Sequence, residues 1–133
     1  MKKLTFLLVL LLGIVLVGCS NNDANTGNMN EMSSEDLQTH LEEDGMDEET
    51  YYIDVREEDE FAESHVAGFI NIPMDDVIED ASILPEDQEI LILCNTQNRS
   101  IQVGEAMIEQ GFDASDISIV MGGIASYEGE KVE

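Results

Sequence analysis

The feature that most constrains the fold is a series of short apolar runs separated by polar or amphipathic segments. A run in which nearly every residue is apolar is typical of a strand buried on both faces, whereas a half-exposed strand alternates with polar residues. Four such runs predict four strands, at residues 51–55, 68–73, 89–93 and 117–121. A chain with strands of this kind needs a covering layer on each side of its sheet.

Helical segments lie between these runs and can supply that covering. Ser33 or Ser34 can cap a first helix, and a short acidic helix is predicted over residues 57–63. A longer amphipathic helix begins near Arg99 and ends at Gly111, which suits a helix C-terminus. Strands that alternate with helices predict an α/β fold with a small central parallel sheet and helices on both faces.

The first 18 residues have a different character from the rest of the chain. Lys2 and Lys3 precede an apolar region, residues 4–17, which is too short for a comfortable membrane span. It ends in Leu-Val-Gly-Cys, which resembles the lipobox of bacterial lipoprotein signal peptides, with lipidation at Cys19 and cleavage just before it. An uncleaved anchor helix and an ordinary signal peptide are the alternatives, and each of the three places the remaining chain outside the cytoplasm.

This pattern predicts three parts: a lipoprotein signal peptide at 1–18, a flexible Asn-rich tether at 19–32 and one folded domain at 33–133. The protein is then expected to be extracytoplasmic and held at the cell membrane by the lipid on Cys19.

Charge excludes one class of partner. After removal of residues 1–18, 30 acidic residues face three basic ones, Arg56, Arg99 and Lys131, which gives a formal charge of −27. Such a surface repels phosphate backbones, so a nucleic-acid partner is excluded.

Cys94 is the candidate nucleophile. It stands at the end of the strand 89–93 and is followed by a short polar loop and then a helix, which is where ligands bind in open α/β sheets. Backbone N–H groups of such a loop, the helix N-terminus and Arg99 would favour a thiolate that is reachable from solvent. The alternative is a small buried cysteine that only ends a strand.

Four short motifs follow one another along the chain: Asp54-Val55-Arg56, residues 60–73, residues 94–100 and residues 121–124. In this order, and over roughly residues 33–127, they resemble the successive motifs of rhodanese domains. The resemblance implies a small rhodanese fold and a sulfurtransferase that carries sulfane sulfur as a persulfide on Cys94. The sulfur would come from a small sulfane-sulfur donor and pass to a thiol or cyanide acceptor.

The resemblance also implies roles for the surrounding residues. The loop that would cradle the anionic sulfur consists of Asn95, Thr96, Gln97, Asn98, Arg99 and Ser100. Structural roles are implied for Asp54, Arg56, His65, Gly122 and Gly123. Neither a cofactor nor a metal is expected, because the two histidines and one free thiol show no metal-ligand spacing.

Loop length and composition bear on the reaction. Four residues separate Cys94 from Arg99, as in sulfurtransferases, whereas related phosphatases have one more. Gln97 replaces a glycine that is common in the family and is expected to tighten or distort the cradle. Asn95 stands where many thiosulfate-using members have a basic residue, so efficient use of thiosulfate is not expected. A non-catalytic binding or regulatory module, and a thiol-based phosphatase or arsenate reductase, are the alternative functions.

Overall fold

A five-stranded parallel sheet forms the centre of the domain. The computed structural model describes residues 26–133, so the predicted signal peptide, Cys19 and the start of the predicted tether lie outside the described residues. The strands are β1 (Asn30–Ser33), β2 (Thr50–Asp54), β3 (Ile70–Asn71), β4 (Glu89–Leu93) and β5 (Ile117–Met121). They lie in the order β1-β5-β4-β2-β3, and every neighbouring pair is parallel.

Helices connect the strands and cover the sheet. They are α1 (Ser34–Glu43), α2 (Glu58–Glu63), α3 (Met74–Glu79) and α4 (Asn98–Glu109), and short 3-10 turns occur at Ala81–Ile83, Ala114–Asp116 and Ile124–Ser126. Among the helices of residues 26–133, none is long and apolar enough to cross a membrane. The predicted α/β class with a central parallel sheet is confirmed.

Alternation along the central strands separates two apolar layers. In β4, Ile90 and Ile92 pack in one layer with Val77 of α3 and Val103 of α4. Leu91 and Leu93 pack in the other layer, which contains Leu37 of α1 and Tyr127. Because successive side chains of a strand point to opposite faces, a strand whose residues are nearly all apolar fills both layers.

Two boundaries differ from the prediction. The ordered chain begins before residue 33, because β1 pairs with β5 over Asn30–Ser33 and Met29 is buried. The side chains of this edge strand are mostly exposed, so its sequence carries no apolar run. The predicted strand at 68–73 is reduced to β3, and α3, which was not predicted, starts directly after Pro73.

The carboxyl ends of the central strands meet at one edge of the sheet. Asp54 at the end of β2 is in register with Leu93 at the end of β4, and the Val55 N–H donates to the Leu93 carbonyl at 2.9 Å. The residues that directly follow β2 and β4 are therefore neighbours, as the parallel topology requires.

Candidate active site

Cys94 directly follows β4 and opens the active loop, residues 94–99. Three loop residues, Asn95, Thr96 and Gln97, separate it from the first residue of α4. The loop therefore combines a thiol, a short stretch of non-helical backbone and the N-terminal end of a 12-residue helix. Helix N-termini carry partial positive charge, which suits an anionic sulfur species.

Cys94 itself is buried. The residue is only 1% exposed and belongs to the apolar layer that contains Val103 and Met107. This differs from the solvent-reachable thiol predicted from the sequence. The reason lies in β4, because strand alternation places Cys94 on the same face as Ile90 and Ile92.

The active loop offers hydrogen-bond donors. Within residues 26–133, the backbone N–H groups of Asn95, Thr96 and Gln97 donate to no acceptor. Asn95 is exposed, and Thr96 and Gln97 are half-buried. Successive backbone N–H groups that no protein acceptor uses can together bind an anion.

Arg99 is already paired. Its Nη1 donates to Glu60 Oε2 at 2.6 Å and its Nη2 donates to Glu60 Oε1 at 3.0 Å, a two-pronged ion pair between α4 and α2. These hydrogen bonds lower the pKa of Glu60 to about 2 and raise the pKa of Arg99. The guanidinium predicted to attract an anionic donor is held by a carboxylate that the sequence analysis did not single out.

This ion pair predicts a pH dependence. A carboxyl group whose pKa is lowered by folding stabilises the folded state above its unfolded-state pKa, and the contribution disappears as the pH falls to the folded-state value. The difference in free energy of unfolding between the wild type and Glu60→Gln is therefore expected to shrink between about pH 5 and pH 2. Urea unfolding of both proteins across this range measures it, and a difference that stays constant contradicts the ion pair.

Asp54 and Arg56 form a buried ion pair that connects β2 to α2. The Arg56 Nη2 donates to Asp54 Oδ2 at 2.8 Å and to the Ser64 carbonyl at 2.8 Å, and both side chains of the ion pair are buried. The pair therefore joins the end of β2 to the end of α2, the helix that presents Glu60. Within residues 26–133, neither side chain of this pair forms a hydrogen bond or ion pair with Cys94.

The glycine turn, residues 121–124, fastens the active loop. The Ile124 N–H donates to the Cys94 carbonyl and the Ala125 N–H to the Asn95 carbonyl, each at 2.9 Å. Gly123 has φ +58°, and a Cβ there would collide with the carbonyl oxygens of Asn95 and Thr96. Only glycine allows this close approach of two backbones.

Two side chains join the same turn. The Gly122 N–H donates to Gln97 Oε1 at 3.2 Å. Ser34, the first residue of α1, donates to the carbonyls of Gly123 at 2.6 Å and Met121 at 3.1 Å. Gln97 has a φ of −152°, so it does not need the left-handed backbone that glycine would supply. Instead of distorting the loop, its side chain ties the loop to the glycine turn.

The remaining predicted residues lie around the loop. His65 Nδ1 donates to the Phe61 carbonyl at 2.8 Å and its ring stacks on Phe61, so it holds the end of α2. Asn98 is exposed at the start of α4. Ser100 is fully buried in the first turn of α4, and its hydroxyl has no hydrogen-bond partner within residues 26–133. Across the same residues, no group of three or more His, Cys, Asp or Glu side chains could hold a metal ion.

Sequence reasoning missed Glu60 and Ser34. Glu60 lies 39 residues before Arg99, in a helix whose first turn holds three acidic residues. No local pattern distinguishes the glutamate that pairs with arginine from its exposed neighbours. Ser34 was recognised only as a helix cap, and its contact with the glycine turn depends on the pairing of β1 with β5.

Comparison with known proteins decides the family. A sequence model of the family described as "Rhodanese-like domain" matches residues 33–130. The chain belongs to the rhodanese-like domain family. Within this family it is 38% identical over 84 residues to the Bacillus subtilis protein named "Putative sulfurtransferase YtwF", a match that covers 63% of this chain and 79% of that protein.

The chain is also similar to a second Bacillus subtilis protein and to a solved structure. The rhodanese-like chain is 32% identical over 95 residues to the Bacillus subtilis "Putative sulfur carrier protein YrkF", covering 71% of this chain and 50% of that protein. The crystal structure of a rhodanese-related protein from Thermoplasma volcanium has a TM-score of 0.62 and 26% identity, and the match covers 77% of this chain and 97% of that one.

Proposed function

We propose that the protein is a sulfurtransferase in which Cys94 receives a sulfane sulfur, holds it as a persulfide and delivers it to a thiol or cyanide. The observation that carries this proposal is the row of three unpartnered backbone N–H groups directly after Cys94, at the N-terminal end of α4. These groups can hold a negatively charged outer sulfur without any charged side chain.

The reaction has two half-steps, each a displacement at sulfur. In the first, the Cys94 thiolate attacks the sulfane sulfur of the donor, and a new S–S bond forms. The old bond to that sulfur breaks, and its electron pair leaves with the donor remnant, as sulfite from thiosulfate or as a thiolate from a persulfide. In the second, a thiolate or cyanide attacks the outer sulfur, and the bonding electron pair returns to Cys94.

Because Cys94 is buried, the active loop must also give the sulfur donor access to the thiol. Because Cys94 is only 1% exposed, we propose that the donor reaches it from the side of the active loop, where Asn95 is exposed and Thr96 and Gln97 are half-buried. The half-exposed loop therefore both admits the donor and stabilises the anion that forms.

Steady-state kinetics test the proposal. Varying cysteine persulfide at several fixed cyanide concentrations, with thiocyanate as the measured product, should give the parallel double-reciprocal lines of a ping-pong reaction. No turnover with any sulfane donor would contradict the enzyme and favour the alternative, a non-catalytic binding or regulatory module. Release of phosphate from a model ester, or reduction of arsenate, would favour the third alternative.

We also propose that the protein is extracytoplasmic and anchored in the cell membrane by a lipid on Cys19. The support is the sequence of residues 1–19, a basic start and a short apolar region ending in Leu-Val-Gly-Cys. A diacylglyceryl group supplies two chains, which hold a protein stably, whereas one chain does so only marginally.

Substitution Cys19→Ser tests the anchor. We expect the wild type to incorporate an alkyne-labelled fatty acid and to sediment with membranes, and the variant to lose the label. Cys94→Ser is the matched control, because it removes the other cysteine and should leave labelling unchanged. A wild type that carries no label contradicts the anchor.

A further inference from the structure

We propose that Glu60 is a positioning residue that makes the active loop select against dianionic sulfur donors, by occupying the anion-binding face of Arg99. This inference rests on the proposed sulfurtransferase function and adds to it the class of donor. Thiosulfate would be a poor substrate, and a low-molecular-weight persulfide of lower charge would be a better one.

The Glu60 carboxylate is fixed from both sides. Both of its oxygens accept hydrogen bonds from the Arg99 guanidinium, and Oε2 also accepts from the Glu57 N–H at 3.0 Å in the capping box of α2. The helix is in turn held by Arg56, which donates to the carbonyls of Glu60 and Ser64. The two guanidinium N–H groups that bind Glu60 are also the groups with which an arginine binds an oxyanion. An anionic donor can therefore bind them only if it displaces the Glu60 carboxylate.

Arg99 is close enough to the reaction to matter. Its pKa is raised first by the hydrogen bonds to Glu60, and also by Coulombic attraction from Glu60 and from Cys94. Arg99 also belongs to the active loop itself, as the second residue of α4 and five residues after Cys94. Because the positive charge of Arg99 is balanced by the negative charge of Glu60, the ion pair as a whole does not attract an approaching anion.

No other cation of the described residues takes its place. Arg56 is buried against Asp54, and Lys131 donates to the Tyr127 carbonyl at 3.3 Å. The donors left at the active loop are uncharged: backbone N–H groups, including those of Asn95, Thr96 and Gln97, and the buried Ser100 hydroxyl. Dipoles of this kind suffice for the single negative charge of a persulfide, whereas a dianion approaching a strongly acidic domain needs a full positive charge.

The test compares donors rather than activity alone. The full-length wild type, Glu60→Gln and Glu58→Gln are each assayed with thiosulfate and with cysteine persulfide, with cyanide as the acceptor. Glutamine at position 60 keeps an acceptor for the capping box but cannot form the ion pair. Glu58 is the matched control, because it lies in the same turn of α2, is exposed, and its side chain forms no hydrogen bond within residues 26–133.

We expect Glu60→Gln to raise the ratio of kcat/KM for thiosulfate to kcat/KM for cysteine persulfide about tenfold, the scale of one charge-assisted hydrogen bond. The increase should appear mainly as a lower KM for thiosulfate. Glu58→Gln removes the same charge and should change the ratio by less than about twofold.

The outcomes separate the two proposals. An unchanged donor ratio in Glu60→Gln, or an equal rise in Glu58→Gln, overturns the role of Glu60 while the sulfurtransferase stands. A wild type that transfers sulfur from neither donor overturns the proposed function itself. Loss of folding in Glu60→Gln would show as loss of activity with both donors, which is why the ratio and the unfolding midpoint are measured together.

Discussion

Replacement of Cys94 by serine is expected to reduce sulfur transfer about a thousandfold or more, because no other residue of the active loop can form a persulfide. Serine differs from cysteine by one atom, so the loop keeps its shape while the sulfur chemistry is lost. The measurement is thiocyanate formation from cyanide and cysteine persulfide, alongside the mass of the protein after exposure to the donor.

Burial of Cys94 makes a stability control necessary. The side chain lies in an apolar layer, so a hydroxyl without a partner at this position costs about 1–3 kcal/mol. Cys94→Ala removes the sulfur without introducing a polar group and should lose transfer equally. If either variant, shown to be folded by urea unfolding, retains transfer near the wild-type rate, then Cys94 is not the sulfur carrier.

Substitution Gly123→Ala is expected to lower the free energy of unfolding by about 2–4 kcal/mol and to abolish most of the transfer activity. The backbone of Gly123 is left-handed, and the added Cβ would collide with the carbonyl oxygens of Asn95 and Thr96. Because these are backbone atoms, the clash is relieved only if the active loop moves. Such a movement would break the hydrogen bonds that the Ile124 and Ala125 N–H groups make to the loop. Urea unfolding and the thiocyanate assay measure the two effects.

Gly45→Ala provides the matched control. Gly45 also has a left-handed backbone, with φ +74°, but a Cβ there would meet nothing within 4 Å. It should therefore show only the backbone cost, about 1 kcal/mol, and leave activity unchanged. Equal effects of the two substitutions would show that the close approach of the glycine turn to the active loop has no energetic consequence.

Local patterns predicted most of the fold. The apolar strands 89–93 and 117–121 coincide with β4 and β5, and the helix expected near Arg99 begins one residue earlier, at Asn98. These elements are easy to predict because burial dictates their composition directly. Strand β1 was missed for the opposite reason, since it is an edge strand whose side chains face solvent and whose backbone pairing leaves no trace in the sequence.

The candidate site was predictable only in part. The position of Cys94 after a strand and before a helix followed from the order of elements. Its burial did not, because alternation shows only that Cys94 shares a face with Ile90 and Ile92, whereas the packing of α4 over the end of β4 depends on the tertiary fold. The pairing of Arg99 with Glu60 also escaped prediction, since it joins residues 39 apart whose proximity depends on the tertiary placement of α2 and α4.

The central claim is that Cys94, although buried, accepts one sulfur atom and gives it up again. The most direct measurement is a single-turnover chase with a persulfide whose outer sulfur is isotopically labelled, followed by removal of excess donor and addition of cyanide. We predict one labelled sulfur per chain, located on the peptide that contains Cys94, and its complete recovery as labelled thiocyanate. A chain that takes up no label, or label that stays on the protein after cyanide is added, would contradict the account.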